Sequence, residues 1–150
     1  MTTIYFSGSI TGGRHDVELY RRIVDALEAD GYRVLAGSVA AEHIGAGGDP
    51  LDPCFIFDRD LAWVEEADVL VAEVSTPSTG VGYEIAAARY RYGIPVICLY
   101  RPAFTKRCSA MISGDRAVTL IEYAEDGFAT MLDRLRESLR EAGRSPASLP

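Results

Sequence analysis

Two carboxylates stand out because each sits where an ionised group is costly unless it is used. Glu84 follows Ser75-Thr76-Pro77-Ser78-Thr79-Gly80-Val81-Gly82-Tyr83 and flanks an apolar stripe of Val81, Ile85, Ala88 and Tyr92 at helical spacing. Asp60 falls on one face with Ile56, Trp63, Val64 and Ala67, where a carboxylate needs a partner, a hydrogen bond or a cleft. Together with Tyr5 on an early strand, such a pair suits glycosidic bond cleavage. One carboxylate attacks the anomeric carbon, the other assists the leaving group, and close spacing favours a covalent glycosyl intermediate. A nucleobase is one possible leaving group. The plainer alternatives are that Asp60 pairs with Arg59 on the helix surface, and that Glu84 merely complements the helix N-terminus while Ser78 or Thr79 caps it.

The elements that must position these groups alternate between strand and helix. Thr3 to Gly8 is β-prone and breaks into the glycine-rich Ser9-Ile10-Thr11-Gly12-Gly13-Arg14. Val17, Tyr20, Ile23, Val24 and Leu27 then stripe a helix, with Asp16 at the N-cap position and Gly31 as the stop. Tyr32 to Ala36 is a second strand, and the glycine-dotted Gly37 to Pro53 is a long connection of the kind that carries function. A helix from Phe55 to Ala67 and an apolar strand over Ala67 to Val74 precede the Glu84 helix, which stops at Gly93. Ile94 to Tyr100 and Ala117 to Ile121 are strands four and five, and Phe128, Met131, Leu132, Leu135 and Leu139 stripe a last helix.

This order predicts a single α/β domain over residues 1–142 with a flexible tail at 143–150: a five-stranded parallel sheet in the flavodoxin-like order 2-1-3-4-5, helices on both faces. Its crevice lies where the strand order reverses, beyond the carboxyl ends of strands one and three. The loops Ser9 to Arg14 and Ser75 to Gly82 leave those two strands. Their glycines admit a ligand to the backbone, and a helix N-terminus suits an anion such as phosphate. Neither G-x-G-x-x-G nor a G-K-[ST] loop is present.

Composition narrows the partners. A net charge of −7 argues against gripping a nucleic-acid backbone, and no apolar run is long enough to span a membrane. Cys54, Cys98 and Cys108 form no C-x-x-C pair, and His15 and His43 are isolated, so neither a disulfide framework nor a metal site is indicated. The cytoplasm is the default address.

Tyr5-Phe6-Ser7-Gly8-Ser9-Ile10 with Gly12-Gly13-Arg14, Asp60-Leu61-Ala62-Trp63, Ala67-Asp68-Val69, the stretch Ala72-Glu73-Val74 through Pro77-Ser78 to Gly80-Val81-Gly82-Tyr83-Glu84, and Ser109-Ala110-Met111-Ile112 resemble, in order, the 2′-deoxynucleoside 5′-phosphate N-hydrolases of the nucleoside 2-deoxyribosyltransferase superfamily. The resemblance covers Tyr5 to Tyr123. It implies that Glu84 is the nucleophile, that Tyr5 orients it, and that Asp60 meets the departing base. It also implies that Gly8, Ser9, Ile10, Gly12, Ser78 and Gly80 surround the sugar phosphate, while Ser109 reaches the phosphate from the other subunit of a homodimer. Water then completes hydrolysis to deoxyribose 5-phosphate and free base, without metal or organic cofactor. Thr11 departs from the arginine of mammalian members, removing a charge-assisted contact of about 1.5 to 3 kcal/mol; Arg14 and Arg107 are the candidate replacements. The alternatives are a nucleoside 2-deoxyribosyltransferase, a ribonucleotide hydrolase of the cytidine monophosphate type, or a nucleotide sensor without turnover.

Overall fold

A computed structural model describes residues 1–10, 16–37, 51–105 and 107–144. Five strands, β1 (Thr3–Gly8), β2 (Arg33–Leu35), β3 (Val69–Glu73), β4 (Val96–Tyr100) and β5 (Val118–Glu122), form one parallel sheet in the order β2-β1-β3-β4-β5. The expected strand order is the observed one. Every residue of β1, β3 and β4 is buried, as apolar runs covered on both faces require.

Among the described residues the cover comes from α1 (Val17–Ala29), α2 (Pro53–Glu66), α3 (Thr79–Ala86) and α5 (Phe128–Ala142), while α4 (Ala110–Ser113) is a single turn with no buried residue. On one face, Ile4, Phe6, Val71, Ile97 and Leu99 meet Tyr20, Ile23 and Leu27 of α1 and Met131 and Leu135 of α5. On the other, Tyr5, Leu70, Ala72 and Cys98 meet Val64 of α2 and Val81, Ile85 and Ala88 of the α3 segment. Strand alternation makes this division, sending Tyr5 and Ser7 to the α2/α3 face and Phe6 and Gly8 to the other. Gly8 stands opposite Glu73 in the β1–β3 register. The loops leaving both strands therefore start side by side.

Several boundaries move from the sequence expectation for local reasons. α2 begins two residues before Phe55, because Asp52 caps it by accepting from the amides of Cys54 (2.9 Å) and Phe55 (3.4 Å) with Pro53 in the first turn. The Glu84 helix does not stay α-helical to Gly93. It widens into a π-turn over Ala87–Tyr92, and Gly93 closes it at φ 67° in the left-handed region. Asp16 stands at the N-cap of α1 yet makes no side-chain capping bond. No helix among the described residues is long and apolar enough to cross a membrane. The expected loop at 11–15, most of the Gly37 to Pro53 connection, both histidines and tail residues 145–150 lie outside the described residues.

Candidate active site

The site is assembled from three elements on the α2/α3 face. β1 supplies Tyr5 and, two residues on, Ser7; α2 supplies Asp60 beside Arg59; α3 supplies Glu84. α3 is set by Ser78, whose hydroxyl accepts from the Val81 amide at 3.3 Å, and by Val81 and Ile85, which bury the helix against the sheet. That phase leaves Glu84 directed at β1. An edge-to-face pair of Phe57 and Tyr83, centroids 6.0 Å apart, ties α2 to α3 at the rim.

Glu84 accepts a short hydrogen bond from the Ser7 hydroxyl and another from the Tyr5 phenol. Its pKa is pushed up to about 7, first by burial and then by the nearby charge of Asp60, against the lowering effect of the Ser7 and Tyr5 bonds and the Arg59 cation. Tyr5 is held far above the ordinary phenol value, chiefly by burial and then by Glu84 and Asp60. It stays a neutral donor to the carboxylate. Asp60 is ion-paired with Arg59 at 2.8 Å, both side chains being less than a fifth exposed, and the Arg59 guanidinium lies 5.0 Å from the Trp63 ring centroid. The surface-pair reading of Asp60 and the inward reading are therefore both realised. The carboxylate is compensated by its neighbour and still close enough to bias Tyr5 and Glu84.

Other predicted positions divide. The Ser9 hydroxyl is buried, with no hydrogen-bond partner among the described residues. A Cβ on Gly8 would come within 2.8 Å of the Tyr20 ring, on the face opposite Glu84, so its smallness serves packing and only its backbone is available to a ligand. Ile10 packs against the α1/α5 core layer. A Cβ on Gly80 would meet only Ser78 Oγ, at an ordinary contact distance of 3.9 Å. Thr11, Gly12 and Arg14 lie outside the described residues. Ser109 is exposed ahead of α4 and lines a cavity of about 720 Å³ with Ser78, Thr79, Arg107 and Met111; Tyr5, Asp60 and Glu84 do not line it. The structure thus brings Tyr5, Asp60 and Glu84 together, and places Ser109 apart from them within one chain.

Ser7 is the neighbour of Glu84 that the residue types did not single out. Its signal was present, since period two puts it on the same face as Tyr5. A second polar cluster was also unforeseen, on the opposite face of the sheet. Glu73, fully buried, accepts from the Ser75 hydroxyl and from Arg101 Nε at 3.2 Å and the Tyr123 hydroxyl at 3.1 Å. Burial pushes its carboxyl above the ordinary range.

A parallel α/β sheet with two carboxylates at its topological switch point, one held by a phenol and a hydroxyl, is an arrangement that glycosyl chemistry could use. Residues 4–120 match the family model described as nucleoside 2-deoxyribosyltransferase, and the chain belongs to that family. A mouse protein named 5-hydroxymethyl-dUMP N-hydrolase is 43% identical, the match covering 99% of this chain and 87% of that one. Two solved structures share the fold: the Clostridium botulinum CMP N-glycosidase (TM-score 0.63, 16% identity, 91% of this chain and 99% of that one) and the 2-deoxyribosyltransferase of Bacillus psychrosaccharolyticus (TM-score 0.63, 21% identity, 87% and 96%). By its kinship the chain is an N-glycoside hydrolase.

Proposed function

We propose that the protein hydrolyses the N-glycosidic bond of 2′-deoxynucleoside 5′-monophosphates, releasing the nucleobase and deoxyribose 5-phosphate. The observation that carries this reading is the Glu84 carboxylate, half-buried on α3 under two hydroxyl donors and near Asp60. Glu84 attacks C1′ as the C1′–N bond breaks, and Asp60, ionised beside Arg59, orients a water that gives its proton to the departing base. The hydroxide so formed attacks C1′ of the glycosyl ester, and Glu84 leaves as the carboxylate. Tyr5 and Ser7 hold the attacking oxygen on line and remain neutral. Hydrolysis needs no electron acceptor and balances without a cofactor.

Phosphate recognition is assigned to the backbone and hydroxyls of the two loops, through Gly8, Ser9, Ile10, Thr11, Gly12, Ser78 and Gly80. The Ser9 hydroxyl, without a hydrogen-bond partner among the described residues, and the absence of any tight neighbour at Gly80 support it. The name of the mouse relative makes 5-hydroxymethyl-dUMP the first substrate to try. We also propose a homodimer in which Ser109 of one protomer serves the phosphate of the other. Exposed Phe57, Tyr83, Tyr90 and Met111 support an apolar contact face, and light scattering at twice the 16.3 kDa chain mass is the expected result.

The test is base release, followed by chromatography, from deoxynucleoside monophosphates, their ribonucleotide counterparts and their nucleosides. Release from deoxynucleotides that disappears in Glu84→Ala is expected. Release only from ribonucleotides, or only when a second base is present as acceptor, would replace the proposal with one of its enzymatic rivals.

A further inference from the structure

Arg59 enters the chemistry above as the partner of Asp60, yet it is held more closely than a surface ion pair requires. Its Nε donates to Asp60 Oδ1 at 2.8 Å, and the two side chains are 17% and 18% exposed. Consecutive residues on a helix do not face each other, so the guanidinium must fold round to reach its neighbour. Phe55 and Trp63, four residues before and four after Arg59 on α2, flank it with ring centroids 6.0 and 5.0 Å from Cζ. The chain leaving β2 also comes close: a Cβ on Gly37, at φ 48°, would stand 2.9 Å from the Trp63 ring and 3.6 Å from Arg59 Nη2.

A single ion pair of this kind contributes little to stability. Its charges matter because of where they stand. Asp60 and Arg59 on α2 and Tyr5 on β1 are the ionisable groups that act on Glu84, with Asp60 raising its pKa and Arg59 lowering it. The same two charges act in the same senses on Tyr5. Asp58 of α2 is exposed, Glu73 of β3 belongs to the cluster with Arg101 and Tyr123, and Arg89 on the continuation of α3 is paired with Asp115 at 3.1 Å. Two carboxylates in one crevice oppose each other's ionisation unless a cation offsets them. Among the described residues, Arg59 is that cation.

We propose that Arg59 is a positioning residue for the acid pair: flanked by the two rings, it fixes the Asp60 carboxylate and allows Asp60 and Glu84 to be charged together. The proposal rests on the hydrolase reading of those two acids. Arg59 acts through the carboxylates, its charge on Glu84 and its planar fork on the placement of Asp60. Substitution separates the two contributions, because lysine keeps the charge and loses the fork.

Carbon-13 NMR of carboxyl-labelled glutamate, with Glu84→Gln to assign the resonance, reads the titration of Glu84 without turnover, and base release across pH reads its consequence. In Arg59→Gln the Glu84 midpoint and the acid limb of kcat/KM are expected to rise together by about half a pH unit, with kcat down about a hundredfold. In Arg59→Lys the midpoint stays within about 0.2 unit of wild type while kcat falls about tenfold. In an Asp60→Asn background, Arg59→Gln lowers kcat by less than about threefold further, because the residue through which it acts is gone. An unmoved Glu84 midpoint in folded Arg59→Gln overturns the proposal, as does a kcat loss equally large with and without Asp60. Arg59→Lys reports even if Arg59→Gln disturbs folding, and wild-type kcat in that variant also overturns it. Absence of base release by wild type would defeat the hydrolase reading instead, and the NMR titration would still decide whether Arg59 sets the charge of Glu84.

Discussion

On the proposed mechanism Glu84 must be ionised to attack, yet burial raises its pKa to about 7. Activity is therefore expected to climb with pH, kcat/KM rising through a midpoint near 7 on its acid limb. Ser7→Ala removes a donor to the charged form, so the midpoint should shift upward and the rate at pH 7 should fall about tenfold to a hundredfold. The stability consequence has the opposite sign. A carboxyl whose folded pKa lies above its unfolded value near 4.5 binds more protons when folded, so its contribution is present below about pH 4.5 and is lost as pH rises through 7. Glu84→Gln should consequently melt higher than wild type at pH 8, and show little of that gain at pH 4.5, in parallel thermal scans. The sequence exposed Glu84 and Asp60 because acids beside apolar stripes are anomalous. Ser7, a small hydroxyl in a buried strand, carries no anomaly until its bond to Glu84 is seen.

At the scale of elements, α3 is set by its cap and by its widened exit. Ser78→Ala should cost about 1 kcal/mol through the lost bond to the Val81 amide, measured by urea unfolding. It should also weaken phosphate affinity if Ser78 serves both ends. Gly8 offers a cleaner separation of packing from function: Gly8→Ala drives a methyl into the buried Tyr20 ring and should cost roughly 1 to 3 kcal/mol. Helix and strand periods were legible from apolar spacing alone. The π-turn at Ala87–Tyr92 and the early start of α2 were not, since both depend on which backbone bonds win locally. The Asp52–Pro53 pair does hold a cap signal, which the long glycine-dotted connection obscured.

For the whole molecule, alternation of strands and helices was enough to give the sheet order and the crevice, because parallel crossovers admit few alternatives. The Glu73–Arg101–Tyr123 cluster was illegible because its partners are far apart in sequence and meet only after the sheet has formed. The domain is expected to end with α5 at Ala142, so a chain truncated after residue 144 should keep its activity and its melting temperature. The most direct measurement of the central claim is mass spectrometry of the protein quenched during turnover of a deoxynucleoside monophosphate. A deoxyribose 5-phosphate adduct on the peptide carrying Glu84, absent from Glu84→Ala together with base release, is the predicted result. Undiminished base release by Glu84→Ala would contradict it.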